Sequence, residues 1–166
     1  AYFNALVEFT QYNDAIKVIQ EQIKPVKELQ KIPLEADPEV FQLEQNQVNL
    51  RSALLQLFEN RKNWMRALAV TNQLLEIFEE APYYLLFNKA EFLAELGRFD
   101  EANTIIDELD EKVNDKERIK LARAGILCEQ EKEAEALEIY ESFDKGSRFY
   151  RQILHKKADI KLTLGR

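Results

Sequence analysis

The chain has 166 residues, a size that suits one domain with a core of its own. Apolar residues make up 46% and charged residues 32%, which excludes a disordered chain, while four Gly and four Pro are too few for many short strands and tight turns. A formal net charge of −7 argues against a nucleic-acid partner, and no apolar run approaches the roughly 18 residues of a membrane span.

The first predicted element is a helix, because the chain opens with the helical pattern "AYFNALVEF". An irregular insert at 23–41 follows, "IKPVKELQKIPLEADPEVF", which holds three of the four prolines. Pro33 and Pro38 are expected to interrupt helix, and Pro25 is expected to kink a helix or to lie in its first turn. The insert is then either a loop between repeated units or a segment that folds over a groove or onto another domain.

Asp37 followed by Pro38 is typical of a helix N-cap and its first helical residue. The pattern therefore predicts a helix of about 23 residues that runs from Pro38 to Asn60.

One local pattern recurs along the chain, in which an aromatic or long residue and two polar residues precede an alanine. It occurs as "YNDA", "WMRA", "FDEA" and "EAEA", which end at Ala15, Ala67, Ala102 and Ala136. The last two steps are 35 and 34 residues, and the first step of 52 residues is one period plus the insert. A fixed period of this size is typical of a solenoid of helix pairs.

Each period is expected to hold two amphipathic helices. After Phe99, apolar residues recur with helical spacing, and a second stripe precedes Gly97, which suits the left-handed end of a helix. The first stripe is Ala102, Ile105, Ile106, Leu109 and Val113, and the second is Leu86, Ala90, Leu93 and Ala94.

This pattern resembles the tetratricopeptide repeat (TPR), a family of 34-residue helix–turn–helix units with small residues at fixed positions. Repeats align over 48–82, 83–116 and 117–150, and a last helix starts at Arg151. The resemblance implies an all-α fold, a right-handed superhelical solenoid of antiparallel helix pairs with about four repeats, the first and last incomplete. It also implies one domain over 1–166, with Trp64 and Phe99 packed between the helices of their own repeats.

The family uses the first helices of its repeats to line a concave groove. The matching positions predict a protein-binding groove in which Tyr84 and Phe87 supply apolar area. Arg118, His155 and Lys156 supply positive charge on one side of it. Such a groove suits a peptide with an aromatic or aliphatic anchor beside an acidic residue. The predicted binding residues are Tyr84, Phe87, Asn88, Glu91, Arg118, His155 and Lys156, and the further groove positions are Asn49, Ser52, Ala53, Gln56, Asn60, Leu121, Ala122, Gly125, Gln152 and Asp159.

The sequence offers no chemistry for catalysis. It contains one His and one Cys, and it has no nucleophile or phosphate-binding motif, so we expect no enzyme and no cofactor. The acidic run at 107–115 lacks the spacing of a calcium loop, so we expect no metal site. We expect Cys128 to pack as a small hydrophobic residue.

The function expected from these features is that of a scaffold or adaptor that binds a protein or peptide. The alternative is an auxiliary or regulatory domain of a larger enzyme or assembly, since the chain reads as a piece of a longer protein. Acidic 91–117 and basic 145–166 would allow molecules to associate with one another. A single Cys suits a reducing compartment and favours the cytoplasm.

Overall fold

The computed structural model describes residues 2–33, 38–163 and 165, and over these residues the fold is built from helices. A short 3-10 helix, Val26–Glu28, lies between the first two α-helices. The α-helices are α1 (Tyr2–Gln22), α2 (Pro38–Asn60), α3 (Trp64–Ile77), α4 (Tyr83–Glu95), α5 (Phe99–Lys112), α6 (Lys116–Glu129), α7 (Glu133–Glu141) and α8 (Tyr150–Thr163). None of these described helices has both the length and the apolar character needed to cross a bilayer.

The contacts between residues divide the chain into two compact units, residues 1–85 and 86–166. The boundary falls inside α4, after Leu85. The expectation of one repeat domain over the whole chain stays a prediction.

In the first unit, α2 packs against α1 and α3. The predicted bounds of α2, Pro38 and Asn60, are confirmed, and Asp37, its predicted N-cap, lies outside the described residues. The buried apolar side chains of α2 and α3 are those of Val48, Leu54, Leu55, Phe58, Ala67, Leu68, Val70, Leu74 and Ile77.

The insert packs against its own unit. Pro25 precedes the 3-10 helix, and the Ile32 side chain is 1% exposed. The Ile32 N–H donates to the Ile77 carbonyl at 2.8 Å, and the Glu79 N–H donates to the Ile32 carbonyl at 2.9 Å. Before Pro38, the described part of the insert thus holds the short 3-10 helix and a segment at Ile32 that pairs with the end of α3. The helix that begins at Pro38 already includes residues 38–41.

A buried polar cluster fixes the chain where it leaves α1. Arg51 is 1% exposed, and its Nη2 donates to the Lys24 carbonyl at 2.6 Å. Gln47 donates through Nε2 to the Gln22 carbonyl and accepts from the Lys24 N–H at 2.9 Å. Because burial removes water from the guanidinium, it lowers the pKa of Arg51. Side chains of α2 thereby satisfy backbone groups that no helix pairs.

In the second unit, α5 packs on α6, α6 on α7 and α7 on α8. Arg123 of α6 joins two carboxylates of α5, Asp107 at 2.9 Å and Asp110 at 3.0 Å. The core shared by α6, α7 and α8 consists of Ala124, Ala136, Leu137, Tyr140, Ile153 and Ile160.

One turn geometry recurs between consecutive helices. Gly97 has φ +74°, its N–H donates to the carbonyl three residues before, and the next N–H donates to the carbonyl of Leu93. This pair of bonds is a Schellman motif, which satisfies the last carbonyls of a helix. Lys62 and Glu131 form the same two bonds with φ +53° and +59°, and Gly165 also has a positive φ. These residues follow one another at steps of 35, 34 and 34.

Three of the four recurring alanines are buried, since Ala67, Ala102 and Ala136 are each 0% exposed, whereas Ala15 is half-buried. The aromatic residues that precede them are less buried than expected. Trp64 and Phe99 are only half-buried, because each is the first residue of its helix. Tyr12 is also half-buried, beneath the guanidinium of Arg61 at 4.7 Å.

Candidate binding cavity

A concave cavity of about 270 Å³ opens in the second unit. Side chains of α4 and α6 form two walls, α8 contributes a third, and α7 supplies the base through Tyr140. The lining residues are Phe87, Ala90, Glu91, Ala94, Glu95, Arg118, Leu121, Ala122, Gly125, Ile126, Glu129, Tyr140, Phe149, Gln152 and Lys156.

The spacing of the lining residues follows from helix geometry. Phe87, Glu91 and Ala94 of α4 are four and three residues apart, so they share one face. On α6, Arg118, Leu121, Ala122 and Gly125 have the same spacing. The Asp115 side chain caps α6 by accepting from the Arg118 N–H at 3.2 Å, which fixes Arg118 in the first turn.

An aromatic ring and a guanidinium meet at one side of this cavity. The Arg118 guanidinium carbon lies 4.6 Å from the centre of the Phe87 ring, and the Phe87 side chain is 7% exposed. This is a cation–π contact, which holds the guanidinium over the ring while its N–H groups can still donate. The contact therefore presents a cation at the cavity wall together with the small part of the Phe87 ring that stays exposed.

Charges of both signs face the cavity. Glu91, Glu95 and Glu129 supply carboxylates, while Arg118 and Lys156 supply cations. The Glu91 side chain retains exposed surface, yet the surrounding protein removes part of its hydration and raises its pKa. Lys156 and Arg118 act in the opposite direction, and Glu129 adds to the rise. The cavity thus holds one carboxylate that is poorly solvated and lies near two cations.

The base of the cavity holds no activated nucleophile. Tyr140 is 2% exposed, and its hydroxyl lies 3.9 Å from the Cys128 Sγ. Burial raises the pKa of Tyr140 and of Cys128, which disfavours both the phenolate and the thiolate. Cys128 packs beside the core of α6, α7 and α8, as the sequence predicted.

One lining position has spare room. Gly125 lies inside α6, and a Cβ placed on it would meet no heavy atom within 4 Å. The backbone at Gly125 therefore leaves room for a Cβ atom beside the cavity.

The structure brings together four of the seven predicted groove residues, Phe87, Glu91, Arg118 and Lys156. The other three do not line the cavity, and neither do Asp159 and the further groove positions predicted on α2. Asn88 is half-buried, His155 is exposed, and Tyr84 is 51% exposed and belongs to the first unit. One helical residue is a rotation of about 100°, so Asn88 and His155 are turned away from the face of their neighbours Phe87 and Lys156.

Sequence reasoning missed several lining residues. Glu95 and Glu129 had a detectable signal, because each lies one turn beyond a predicted position, Glu91 or Gly125. Tyr140 and Phe149 lie outside the first helices, and no linear spacing identifies them. Among the described residues, no group of three or more His, Cys, Asp or Glu side chains is arranged to hold a metal ion.

Comparisons with known proteins leave the chain unassigned: no family model matches it, and neither the curated proteins nor the solved structures contain a significant match.

Proposed function

We propose that this chain is a non-enzymatic interaction module of the TPR type, which binds a protein segment in the cavity of its second unit. The observation that carries the proposal is the contact of Phe87 with Arg118 inside a concave, mixed-charge cavity. An aromatic surface beside a cation is the kind of site that anchors a peptide side chain.

The repeat assignment is supported by local geometry. Left-handed residues end helices at 62, 97, 131 and 165, and the three Schellman motifs among them have identical hydrogen-bond patterns. Ala102 and Ala136 follow their turns by five residues and are fully buried, as close helix crossings require. A right-handed solenoid of about four repeats is the arrangement we infer from this period.

The ligand we infer is a peptide with an apolar anchor next to an acidic residue. The anchor would pack on Phe87 and Leu121, and the acid would accept hydrogen bonds from Arg118 or Lys156. Glu129 lies eleven residues after Arg118 on α6, a rise of about 16 Å, so the far end of this wall is acidic and favours a peptide of mixed charge.

A peptide-display selection tests this proposal without a known partner. We expect the selected peptides to contain an aromatic or aliphatic residue beside Asp or Glu. Phe87→Ala should weaken their binding by about 1–3 kcal/mol, the range of a buried aromatic anchor. Lys156→Glu should weaken binding less as salt rises, because the attraction is screened.

Two further variants sharpen the test. Gly125→Leu should fill the cavity and abolish binding, while the helical circular dichroism spectrum stays unchanged. Lys120→Glu, an exposed residue of α6 outside the cavity, is the matched control and should bind as the parent does. Full binding by a Phe87→Ala, Lys156→Glu double variant would place the site outside this cavity.

A further inference from the structure

Residues 23–33, which we call the strap, are attached to α2 and to the end of α3 in the way that an extended peptide is bound. Leu29, which follows the 3-10 helix, has extended backbone angles of φ −94° and ψ 147°. Ile32 forms a parallel bridge with Phe78, and its N–H and carbonyl both form backbone hydrogen bonds there. The strap thus joins α3 through its own backbone groups.

Side chains of α2 bind the backbone of the strap. Gln47 Oε1 accepts from the Lys24 N–H at 2.9 Å, and Arg51 Nη2 donates to the Lys24 carbonyl at 2.6 Å. Glu44 Oε1 accepts from the Gln30 N–H at 3.4 Å. Gln47 and Arg51 are 5% and 1% exposed, so both of these polar side chains are more than nine-tenths buried. Bonds to backbone atoms do not depend on the side chains of the strap, so they suit an extended chain of varied sequence.

One side chain anchors the strap. Ile32 is 1% exposed, whereas Val26 and Leu29 are only half-buried and the three lysines of the strap are exposed. A cavity of about 380 Å³ remains beside the strap, and it is lined by Val26, Lys27, Leu29, Lys31, Glu76 and Ile77. The middle of the strap therefore packs incompletely on α3, and the anchor at Ile32 holds it.

The helices that carry the strap have contacts of their own. α2 and α3 pack directly on each other, and their buried side chains include Leu55, Phe58 and Leu74. A segment with one buried apolar anchor and exposed polar side chains opens at a lower free energy than a packed helix pair. When such a segment is open, water reaches the polar groups that it covered, so Gln47 and Arg51 keep hydrogen-bond partners.

We propose that Glu44, Gln47, Arg51 and the end of α3 form a peptide-binding surface, which the strap occupies as an intramolecular ligand and leaves by opening as one unit. The ligand that fits this surface is an extended segment with an aliphatic anchor at the position of Ile32. Its occupant is this segment of the same chain, so release of the strap uncovers the surface. The surface belongs to the first unit, and the proposal does not depend on the proposed function.

Native-state hydrogen exchange of the ¹⁵N-labelled protein tests the opening. The amides of Lys24, Ile32 and Glu79 form the bonds that attach the strap to α2 and to α3. We expect these three amides to share one protection factor, at least about tenfold lower than those of Leu55 and Leu74. An opening as one unit exposes all three amides at once, whereas global unfolding would give them the protection of the helix core.

Truncation of the anchor tests whether the two attachments open together. Ile32→Ala should speed the exchange of the Lys24 and Glu79 amides by the same factor, about tenfold or more, because it removes the buried side chain. Lys24 bonds to α2 rather than to Ile32, so an equal response there indicates a single opening. Val18→Ala truncates a 53% exposed side chain of α1 and is the matched control, which should leave both amides unchanged.

A synthetic peptide with the sequence of residues 22–33 tests the surface from outside. In the whole chain carrying Ile32→Asp, where the strap has lost its apolar anchor, this peptide should shift the amide signals of Ile77 and Glu79. The parent protein should bind the same peptide at least about tenfold more weakly, because its own strap occupies the surface most of the time. A peptide with Asp at the position of Ile32 is the control and should not bind.

Three results would overturn the proposal. Strap amides that exchange only at the rate of Leu55 and Leu74 would mean that the strap opens only when the whole unit unfolds. Unequal responses of Lys24 and Glu79 to Ile32→Ala would mean that the two attachments open separately. A peptide that binds neither protein, or both equally, would mean that the strap does not occupy a peptide site. Exchange in the parent protein decides the first point even where Ile32→Asp does not fold.

Discussion

Gly97 and Glu131 adopt the same left-handed backbone conformation 34 residues apart, and the same pair of hydrogen bonds closes the turn at each of them. Only the first residue is one that adopts this conformation without steric cost. At Glu131 the left-handed conformation has a steric cost, because the residue has a side chain. The packing of the helix pair and the two hydrogen bonds offset this cost.

This relationship predicts that Glu131→Gly stabilises the protein by about 0.5–1 kcal/mol, because the left-handed penalty of a non-glycine residue exceeds the added unfolded-state entropy of glycine. Gly97→Ala should destabilise it by about 1 kcal/mol for the converse reason. Urea unfolding at 25 °C measures both changes.

The control for this pair is Gly125→Ala. Gly125 is in ordinary helical conformation, and an added Cβ would contact no heavy atom within 4 Å, so helix propensity should make this change stabilising by about 1 kcal/mol. Equal effects of Gly97→Ala and Gly125→Ala would contradict the interpretation of the turn.

Ala124 and Ala158 occupy equivalent positions with opposite environments. Ala124→Leu should destabilise the protein by about 1–3 kcal/mol, because it overpacks the contact between α6 and α7. Ala158→Leu should change the free energy of unfolding by less than about 0.5 kcal/mol, because its side chain is exposed. Thermal unfolding of the two variants measures the difference, and a large loss at both positions would mean that Ala158 is covered in solution.

Arg51→Ala should destabilise the protein by about 2–4 kcal/mol, because it leaves the Lys24 carbonyl without its buried donor, removes one of the two donors to the Gln47 Oε1 and creates a void. Arg66 of α3 is an exposed arginine whose guanidinium lies 5.7 Å from the Phe58 ring. Arg66→Ala is the matched control and should cost less than about 1 kcal/mol. Comparable losses in a denaturant titration would argue against a special role for the buried cluster.

The two acids Glu91 and Asp110 should respond to pH with opposite signs. The pKa of Glu91 is raised above its ordinary 4.5 by burial, so the folded protein binds this proton more tightly than the unfolded chain. Its favourable contribution is present below pH 4.5 and is lost as the pH rises through the folded pKa. Glu91→Gln should therefore raise the melting temperature at pH 7 and change it little at pH 3.5.

Asp110 is the counterpart, because a hydrogen bond from Lys116 lowers its pKa below the ordinary 3.8. Its contribution is present above pH 3.8 and is lost as the pH falls through the folded pKa. Asp110→Asn should lower the melting temperature at pH 7, and this effect should fade below pH 3.8. Shifts of the same sign for both variants across a pH series would refute the assignment.

The sequence was most informative where the signal is local. Pro38 cannot continue a helix from its N-terminal side, so the start of α2 was predictable, and Gly97 marked a helix end through its conformational freedom. Glu131 gave no such signal, because the hydrogen bonds that hold it left-handed are visible only in the folded chain.

The cavity was predictable only in part for a related reason. Helical spacing brought Phe87 and Arg118 to corresponding faces, but the same spacing does not determine where a face ends, so His155 was included although it does not line the cavity. Tyr140 reaches the cavity base from α7, and such a contribution depends on tertiary packing. Likewise, the burial of Arg51 depends on where the insert passes, which local propensity does not specify.

The pairing of Ile32 with the end of α3 has a consequence for how the connection between α1 and α2 can vary in length. The N–H and the carbonyl of Ile32 both form hydrogen bonds with the end of α3. Ile32 therefore divides the long connection between α1 and α2 into two shorter loops, and closing each loop has its own entropy cost. Closure entropy changes only with the logarithm of loop length, so residues added on either side of Ile32 affect one closure and leave the other as it is. The insert can therefore gain or lose residues on one side of Ile32 while its attachment to α3 persists.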